Sequence, residues 1–98
     1  MLIGNWRNKV TKEFVEGYNN KLKSKLFGLL CEFEKNGEWE KFLDSIIIEL
    51  LGFPEEARTI NYYALFYKIS SLRYLRYEYF RSTIFSCMSL LGKNDGLL

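Results

Sequence analysis

The segment from Thr59 to Leu91, TINYYALFYKISSLRYLRYEYFRSTIFSCMSLL, decides the fold, because nine of the seventeen aromatic residues of the chain fall between Tyr62 and Phe85. At the spacing of an α-helix its apolar residues form two stripes. The first stripe contains Tyr62, Leu65, Phe66, Ile69, Leu72, Phe80, Ile84, Cys87 and Leu91. The second stripe contains Ile60, Tyr63, Ala64, Tyr67, Tyr74, Leu75 and Phe85. A helix with two apolar faces is usually surrounded by other elements, so we predict that this segment is central.

One unbroken helix over this segment is too long for the chain. Its 33 residues would span about 50 Å, whereas a compact domain of this size is about 30 Å across. We therefore predict a break at Ser70 and Ser71, whose hydroxyls can compete for backbone groups and cap a new helix. Two alternatives stay open. The helix protrudes into a partner, or residues 62–69 and 72–80 are strands, which their aromatic and β-branched residues favour.

The chain before this segment has the pattern of further helices. Asn5 is a candidate cap for a first helix. Its apolar residues recur every four positions at Trp6, Val10, Phe14, Tyr18, Leu22, Leu26 and Leu30. A step of four overshoots a turn by about 40°, so the stripe winds around a straight helix. We predict a kink or a break at Gly17 to Asn20, giving one kinked helix or two over residues 6–35.

A second amphipathic helix is predicted between Trp39 and Leu50. Asn36 and Gly37 end the preceding helix, and Gly52 ends this one. A strand at residues 46–48 is the alternative, although the flanking periodicity argues against it. The predicted fold class is therefore all-α, a compact bundle of four or five helices. We expect one domain over residues 1–98 with a flexible tail at 92–98.

Composition indicates an ordinary globular protein, with 48% hydrophobic residues, 27% charged residues and a formal net charge of +2. The charge is segmented, because an acidic middle at residues 26–57 lies between two basic flanks. No run of eighteen apolar residues and no secretory leader is visible, so we expect a cytoplasmic protein with no membrane span. Cys31 and Cys87 are then expected to be reduced, buried thiols.

The chain contains no histidine, which removes the usual general base and the commonest transition-metal ligand. It also lacks phosphate-binding, dinucleotide-binding and nucleophile-elbow motifs. We therefore expect no enzymatic activity, no cofactor and no metal. One local cluster of carboxylates contains Glu32, Glu34, Glu38, Glu40 and Asp44. We interpret this cluster as a solvated surface, with a site for a hard cation as the alternative.

A group of arginines and tyrosines is the best candidate for a partner-binding site. This Arg/Tyr segment contains Arg73, Tyr74, Arg76, Tyr77 and Arg81. Arginine and tyrosine are over-represented at binding hot spots, whereas Phe80, on a different side of the helix, is assigned to the core. Two alternatives remain: the arginines pair with the acidic middle while the tyrosines fill the core, or the segment binds nucleic acid. The basic face of Lys21, Lys23 and Lys25 is the second candidate surface.

The predicted function is a small non-enzymatic inhibitor or regulator of a protein partner. Small size, the absence of catalytic motifs and a composition typical of AT-rich coding favour the kind encoded by phages and mobile elements: an anti-defence protein such as an anti-CRISPR, an antitoxin or an immunity protein. The alternatives are a nucleic-acid-binding regulator and a homo-oligomeric structural component. Because few residues remain to cover two apolar stripes, we also expect a homodimer.

Overall fold

A computed structural model describes residues 12–55 and 58–92 of the chain. The helices are α1 (Lys12–Glu34), α2 (Trp39–Leu51), α3 (Ile60–Ser71) and α4 (Tyr77–Gly92), with a 3-10 turn at Leu72–Tyr74 between α3 and α4. No strand occurs in these two ranges. The predicted all-α bundle is confirmed, and the strand interpretations of residues 46–48, 62–69 and 72–80 are wrong. The predicted start of the first helix at residues 6–11 and the predicted tail from residue 93 onward lie outside the described residues.

α1 is continuous through Gly17, so the interpretation of this region as two helices is wrong. The buried positions explain why no break is needed. Leu30 is buried, and the other core positions are Val15, Asn19, Leu22, Leu26 and Leu29. Steps of four and three alternate along this series, and their mean of about 3.5 residues keeps the buried face nearly constant along the helix. The repeat of four predicted from the sequence overlooked Asn19, a polar residue in a core position.

The turn between α1 and α2 forms as predicted from Asn36 and Gly37. Asn36 has a positive φ of 60°, and its N–H donates to the carbonyl of Phe33 at 3.0 Å. The N–H of Gly37 donates to the carbonyl of Glu32 at 2.8 Å. These two bonds are the Schellman arrangement, which satisfies carbonyls left free at the end of a helix. A side chain at Gly37 would meet the carboxylate of Glu32, so glycine fits this position.

The end of α2 is held by two side chains from the segment that follows it. Gly52 ends the helix in the right-handed region, at φ −80°. Arg58 donates to the carbonyls of Leu51 at 2.7 Å and Phe53 at 3.1 Å, and the hydroxyl of Tyr62 donates to the carbonyl of Leu50 at 2.5 Å. A cation at a helix C-terminus is favourable because it opposes the negative end of the helix dipole.

The aromatic segment breaks close to the predicted place, but not by the predicted means. α3 ends at Ser71, the 3-10 turn follows, and Leu75 is extended at φ −92° and ψ 149°. Ser71 does not cap the next helix, because its hydroxyl donates backwards to the carbonyl of Lys68 at 2.7 Å. The extended backbone at Leu75 therefore separates the two halves of the segment.

The four helices pack in a ring in which α1 contacts α2 and α4, and α3 contacts the same two helices. The first stripe of the aromatic segment lies inside this ring, where all its members are buried except the half-buried Phe66. The second stripe lies largely outside, with Ile60 86% exposed and Tyr67 75% exposed. In the described part of the chain, no helix combines the length and the apolar character needed to cross a membrane.

The two cysteines have different environments. Cys87 is buried in the core, and burial raises the pKa of its thiol to about 12, so the reactive thiolate is scarce at neutral pH. Cys31 is exposed on α1, so the prediction that it is buried is wrong. It lies on the outer side of α1 with Phe27, one turn away. Both thiols are free, as predicted.

Candidate protein-binding surface

The Arg/Tyr segment occupies the 3-10 turn, the extended link and the first turns of α4. Tyr74 ends the turn and is 84% exposed, and Tyr77 begins α4 with more than half of its surface exposed. Arg76 lies between them in the link and is also exposed. The interpretation that the tyrosines fill the core is therefore wrong for Tyr74 and Tyr77. The backbone between these two tyrosines departs from helical geometry, because Leu75 is extended.

Arg73 and Arg81 are tied to the acidic middle of the chain. The guanidinium of Arg73 contacts the carboxylate of Asp44 on α2 at 2.5 Å. A hydrogen bond to Asp44 and the negative charge of that carboxylate raise the pKa of Arg73. Arg81 makes an equivalent contact of 2.5 Å with Glu34 at the end of α1. The ion pairing that sequence reasoning gave as the alternative to binding is thus present for these two arginines.

Tyr77 is partly engaged by the same end of α1. Its hydroxyl donates to the carboxylate of Glu34 at 3.4 Å, and its ring stacks on Phe33 with the centroids 5.6 Å apart. Glu34 therefore accepts from both Tyr77 and Arg81. These contacts fix the orientation of the Tyr77 ring while leaving one side of it in solvent.

Beneath this surface lies a cluster of rings centred on Phe80. Phe80 is fully buried, and its ring stacks on Phe33 with centroids 3.7 Å apart. The ring of Trp39 meets both Phe33 and Phe80 edge-on at 5.3 Å. The assignment of Phe80 to the core is confirmed. The cluster joins α1, α2 and α4, and its Phe33 ring stacks on the exposed Tyr77.

Arg76 differs from its two neighbouring arginines. In the described ranges, 12–55 and 58–92, the ion pairs join other basic residues to carboxylates. No carboxylate there lies within ion-pair distance of Arg76 or Lys68. Arg76 is therefore the member of the Arg/Tyr segment whose charge is not offset within the described structure. It lies between two exposed tyrosine rings in the sequence, Tyr74 and Tyr77.

The structure adds three exposed residues that were not assigned to binding from the sequence. Ile60, Tyr63 and Tyr67 are all exposed on α3 and fall within a sector of about 60° at 100° per residue. α3 contains no acidic residue. These three side chains, together with Tyr74, form what we call the α3 face. The signal was present in the second stripe, but its apolar spacing did not distinguish an exposed face from a buried one.

Several of the remaining charges are offset in local pairs. Lys35 bonds to Glu32 at 2.8 Å and lowers the pKa of that carboxyl. Lys21 and Lys25 both contact Glu49 at 3.1 Å, and these bonds lower the pKa of Glu49. The candidate basic face of α1 is therefore partly neutralised.

The acidic cluster is likewise distributed among separate ion pairs. Four of its members have separate basic partners: Glu32 pairs with Lys35, Glu38 with Lys41, Asp44 with Arg73 and Glu34 with Arg81. Among the residues that the structure describes, no group of three acidic or cysteine side chains is placed to hold a metal ion.

Comparison with known proteins finds no family model, curated protein or solved structure that matches the chain. The function is therefore inferred from the geometry and chemistry of this chain alone.

Proposed function

We propose that the chain is a non-enzymatic inhibitor or regulator that acts in the cytoplasm by binding a protein partner. The observation that supports this proposal is the exposure of Tyr74 and Tyr77, with the ring of Tyr77 stacked on Phe33. Tyrosine is effective at protein interfaces because it offers a large contact area and a hydroxyl for little loss of conformational freedom. Phe33 and Glu34 hold the ring of Tyr77 in place before any partner binds, which reduces the entropic cost of association.

Size and composition support a more specific class. A chain of 98 residues without histidine has few groups for catalysis, and it can inhibit a larger protein by covering a functional surface. We place it among the small inhibitors encoded by phages and mobile elements, which include anti-defence proteins, antitoxins and immunity proteins. Its composition, rich in Lys, Asn, Ile, Tyr and Phe, is consistent with the AT-rich coding of many such elements.

A nucleic-acid-binding regulator is the second candidate, because Arg76 lies beside exposed tyrosine rings that could stack on bases. The offsetting of Arg73 and Arg81 by carboxylates weakens this candidate. A homo-oligomer is the third candidate, because the exposed second stripe could pack against a second copy. Binding should depend differently on salt and on protein concentration for each candidate, so the three can be distinguished.

The experiment is affinity purification of the tagged full chain from its native host, with nuclease treatment and mass spectrometry of the proteins that co-elute. The captured protein is then produced separately, and its affinity for the chain is measured by calorimetry. We expect a complex that persists as salt rises from about 50 to 200 mM, the range over which contacts to many phosphates lose about 10³-fold or more in affinity. Tyr74→Ala should weaken it, whereas Phe27→Ala, which removes an exposed ring from α1, should not.

Two results would contradict the proposal. If nuclease treatment abolishes capture and the purified chain binds a single-stranded oligonucleotide at about 50 mM salt, the nucleic-acid candidate replaces it. If no protein co-elutes and light scattering shows a stable dimer, the homo-oligomeric candidate replaces it.

A further inference from the structure

We propose that the α3 face, formed by Ile60, Tyr63, Tyr67 and Tyr74, is a docking surface for an acidic, partly apolar segment of a protein partner. This inference rests on the proposed function and specifies the surface and the chemistry of its partner. It moves the centre of the binding site from the start of α4 to α3. Lys68, next to Tyr67 in the sequence, and Arg76, two residues after Tyr74, supply its basic rim.

The apolar part of the surface lies largely in solvent. Ile60 and Tyr74 at its two ends are 86% and 84% exposed, and Tyr67 between them is 75% exposed. Isolated exposed apolar residues are common on soluble proteins, but several exposed apolar side chains on one face of a helix are typical of a binding surface. The spacing of Ile60, Tyr63 and Tyr67 places them side by side along one face of α3.

The α3 face lies in a basic stretch of the chain that ends before the exposed Glu78. From residue 58 to residue 77 the sequence contains four basic residues and no acidic residue. Two of the four are used within the structure: Arg58 bonds to carbonyls at the end of α2, and Arg73 pairs with Asp44. Lys68 and Arg76 remain without an ion pair in the described part of the chain. A partner with carboxylates beside its apolar residues therefore complements this face.

The same charges argue against the other two occupants. In a two-fold dimer the α3 face would meet its own copy, bringing a second Lys68 and Arg76 against the first, while the nearby Asp44 is already paired with Arg73. For nucleic acid, two unpaired cations are few, because proteins that bind a nucleic-acid backbone commonly make about 6 to 10 phosphate contacts. An acidic protein segment needs only a few charge pairs around an apolar centre.

The test measures the affinity of the partner captured by the tagged chain for four variants of the full chain. Tyr67→Ala removes the central ring of the face, and Phe27→Ala removes a ring that is 59% exposed on α1. Arg76→Glu reverses an unpaired charge at the rim, and Lys23→Glu reverses a lysine on α1. We expect Tyr67→Ala to weaken binding about 30-fold and Arg76→Glu at least about 10-fold. The two α1 variants should bind within about twofold of the unchanged chain.

Conservative variants distinguish the loss of a contact with the partner from a loss of folding. Tyr67→Phe and Arg76→Lys should keep most of the affinity, and circular dichroism should give all six variants melting temperatures close to that of the unchanged chain. An Arg76→Glu variant that binds as well as the unchanged chain overturns the acidic character of the partner. If Tyr67→Ala also binds normally, the α3 face is not the docking surface.

The failure of this inference is distinguishable from the failure of the proposed function. A captured protein whose binding is lost only in Phe27→Ala or Lys23→Glu leaves a protein-binding function in place but moves the surface to α1. Recovery of no protein contradicts both. Light scattering that shows a dimer dissociated by Tyr67→Ala makes the occupant a second copy. Binding of a single-stranded oligonucleotide that is lost in Arg76→Glu makes it nucleic acid.

Discussion

The two stripes of the aromatic segment have similar spacing but opposite positions in the fold. The first stripe faces the other helices, and the second stripe faces solvent. Their compositions explain the difference. The first contains one tyrosine, Tyr62, whose hydroxyl has a buried partner in the carbonyl of Leu50. The second contains Tyr63, Tyr67 and Tyr74. A buried tyrosine needs a hydrogen-bond partner, so a stripe rich in tyrosine is better suited to a wet surface or an interface than to a core.

The largest difference between the stripes should appear in stability. Phe80→Ala removes a fully buried ring that stacks on Phe33 and meets Trp39, and we expect it to lower the free energy of unfolding by about 3 to 5 kcal/mol. Tyr67→Ala in the second stripe should change it by about 0.5 kcal/mol or less. Chemical denaturation followed by circular dichroism measures both. Equal losses for the two variants would mean that the second stripe is also part of a core, as in a stable dimer.

The next effect concerns binding rather than folding. Tyr74→Ala removes a ring that is almost wholly in solvent, so we expect little change in melting temperature but a loss of about 2 kcal/mol in affinity for the protein partner. Tyr77→Ala should also weaken binding, with a small additional loss of stability because its ring stacks on Phe33. Calorimetric titration and thermal melts of the same preparations provide the comparison. Undiminished affinity in both variants would remove the Arg/Tyr segment from the site.

A smaller change tests the role of the tyrosine hydroxyl in each stripe. Tyr62→Phe leaves the ring in place but removes the donor to the carbonyl of Leu50, and we expect a loss of about 1 kcal/mol in stability. Tyr63→Phe, the adjacent residue in the exposed stripe, should be close to neutral. The denaturant midpoints of the two variants at neutral pH measure these changes in stability. A neutral Tyr62→Phe variant would show that the hydroxyl does not distinguish the stripes.

The same hydroxyl gives a dependence on alkaline pH. Burial raises the pKa of Tyr62 above its ordinary value, so the folded state favours the neutral phenol more than the unfolded state does. The stabilisation is complete below the unfolded pKa of about 10 and is lost as the pH rises through the folded pKa. Melting temperatures measured from neutral pH to about pH 11 should fall less steeply for Tyr62→Phe than for the unchanged chain. Parallel curves would show that Tyr62 makes no contribution.

Much of the fold could be predicted from the sequence because it depends on local patterns. The spacing of the first stripe identified the core of α3 and α4, and Asn36 with Gly37 identified the turn after α1. The position of Asn19 could not be predicted, because a repeat of four through Tyr18 and Leu22 fits the apolar residues better than one that includes a buried amide. The hydrogen-bond partner of the Ser71 hydroxyl could not be predicted either, because a serine hydroxyl can cap the next helix or donate to a carbonyl of the preceding turn.

The candidate site was predictable in composition but not in the use of its charges. Residue types pointed to Arg73, Arg76 and Arg81 equally, whereas the packing of α4 beside α1 and of the 3-10 turn near α2 gives Arg73 and Arg81 carboxylate partners. Such pairs join residues 29 and 47 positions apart, a separation at which the sequence carries no signal of contact. The distinction between an offset arginine and an available one therefore required the tertiary structure.

The smallest expected effect concerns the pair between Arg81 and Glu34, which joins the exposed surface to α1. Both side chains are partly exposed, so solvent screens the pair, and a double-mutant cycle of Arg81→Ala and Glu34→Ala should give a coupling of about 0.2 to 1 kcal/mol in stability. The coupling should decrease at about 1 M salt, where the screening length is about 3 Å. The cycle between Arg73→Ala and Asp44→Ala serves as the matched control.

The same variants show whether Arg81 stabilises the packing of α4 against α1 or contacts the partner directly. If Arg81 only holds α4 against α1, Arg81→Ala and Glu34→Ala should weaken partner binding by similar, small amounts, because either change breaks the same pair. If Arg81 contacts the partner directly, Arg81→Ala should weaken binding by about 2 kcal/mol, whereas Glu34→Ala should leave it unchanged or strengthen it by freeing the guanidinium. Affinity measurements on the two single variants therefore decide whether the site extends from the α3 face along α4 or ends at Tyr77.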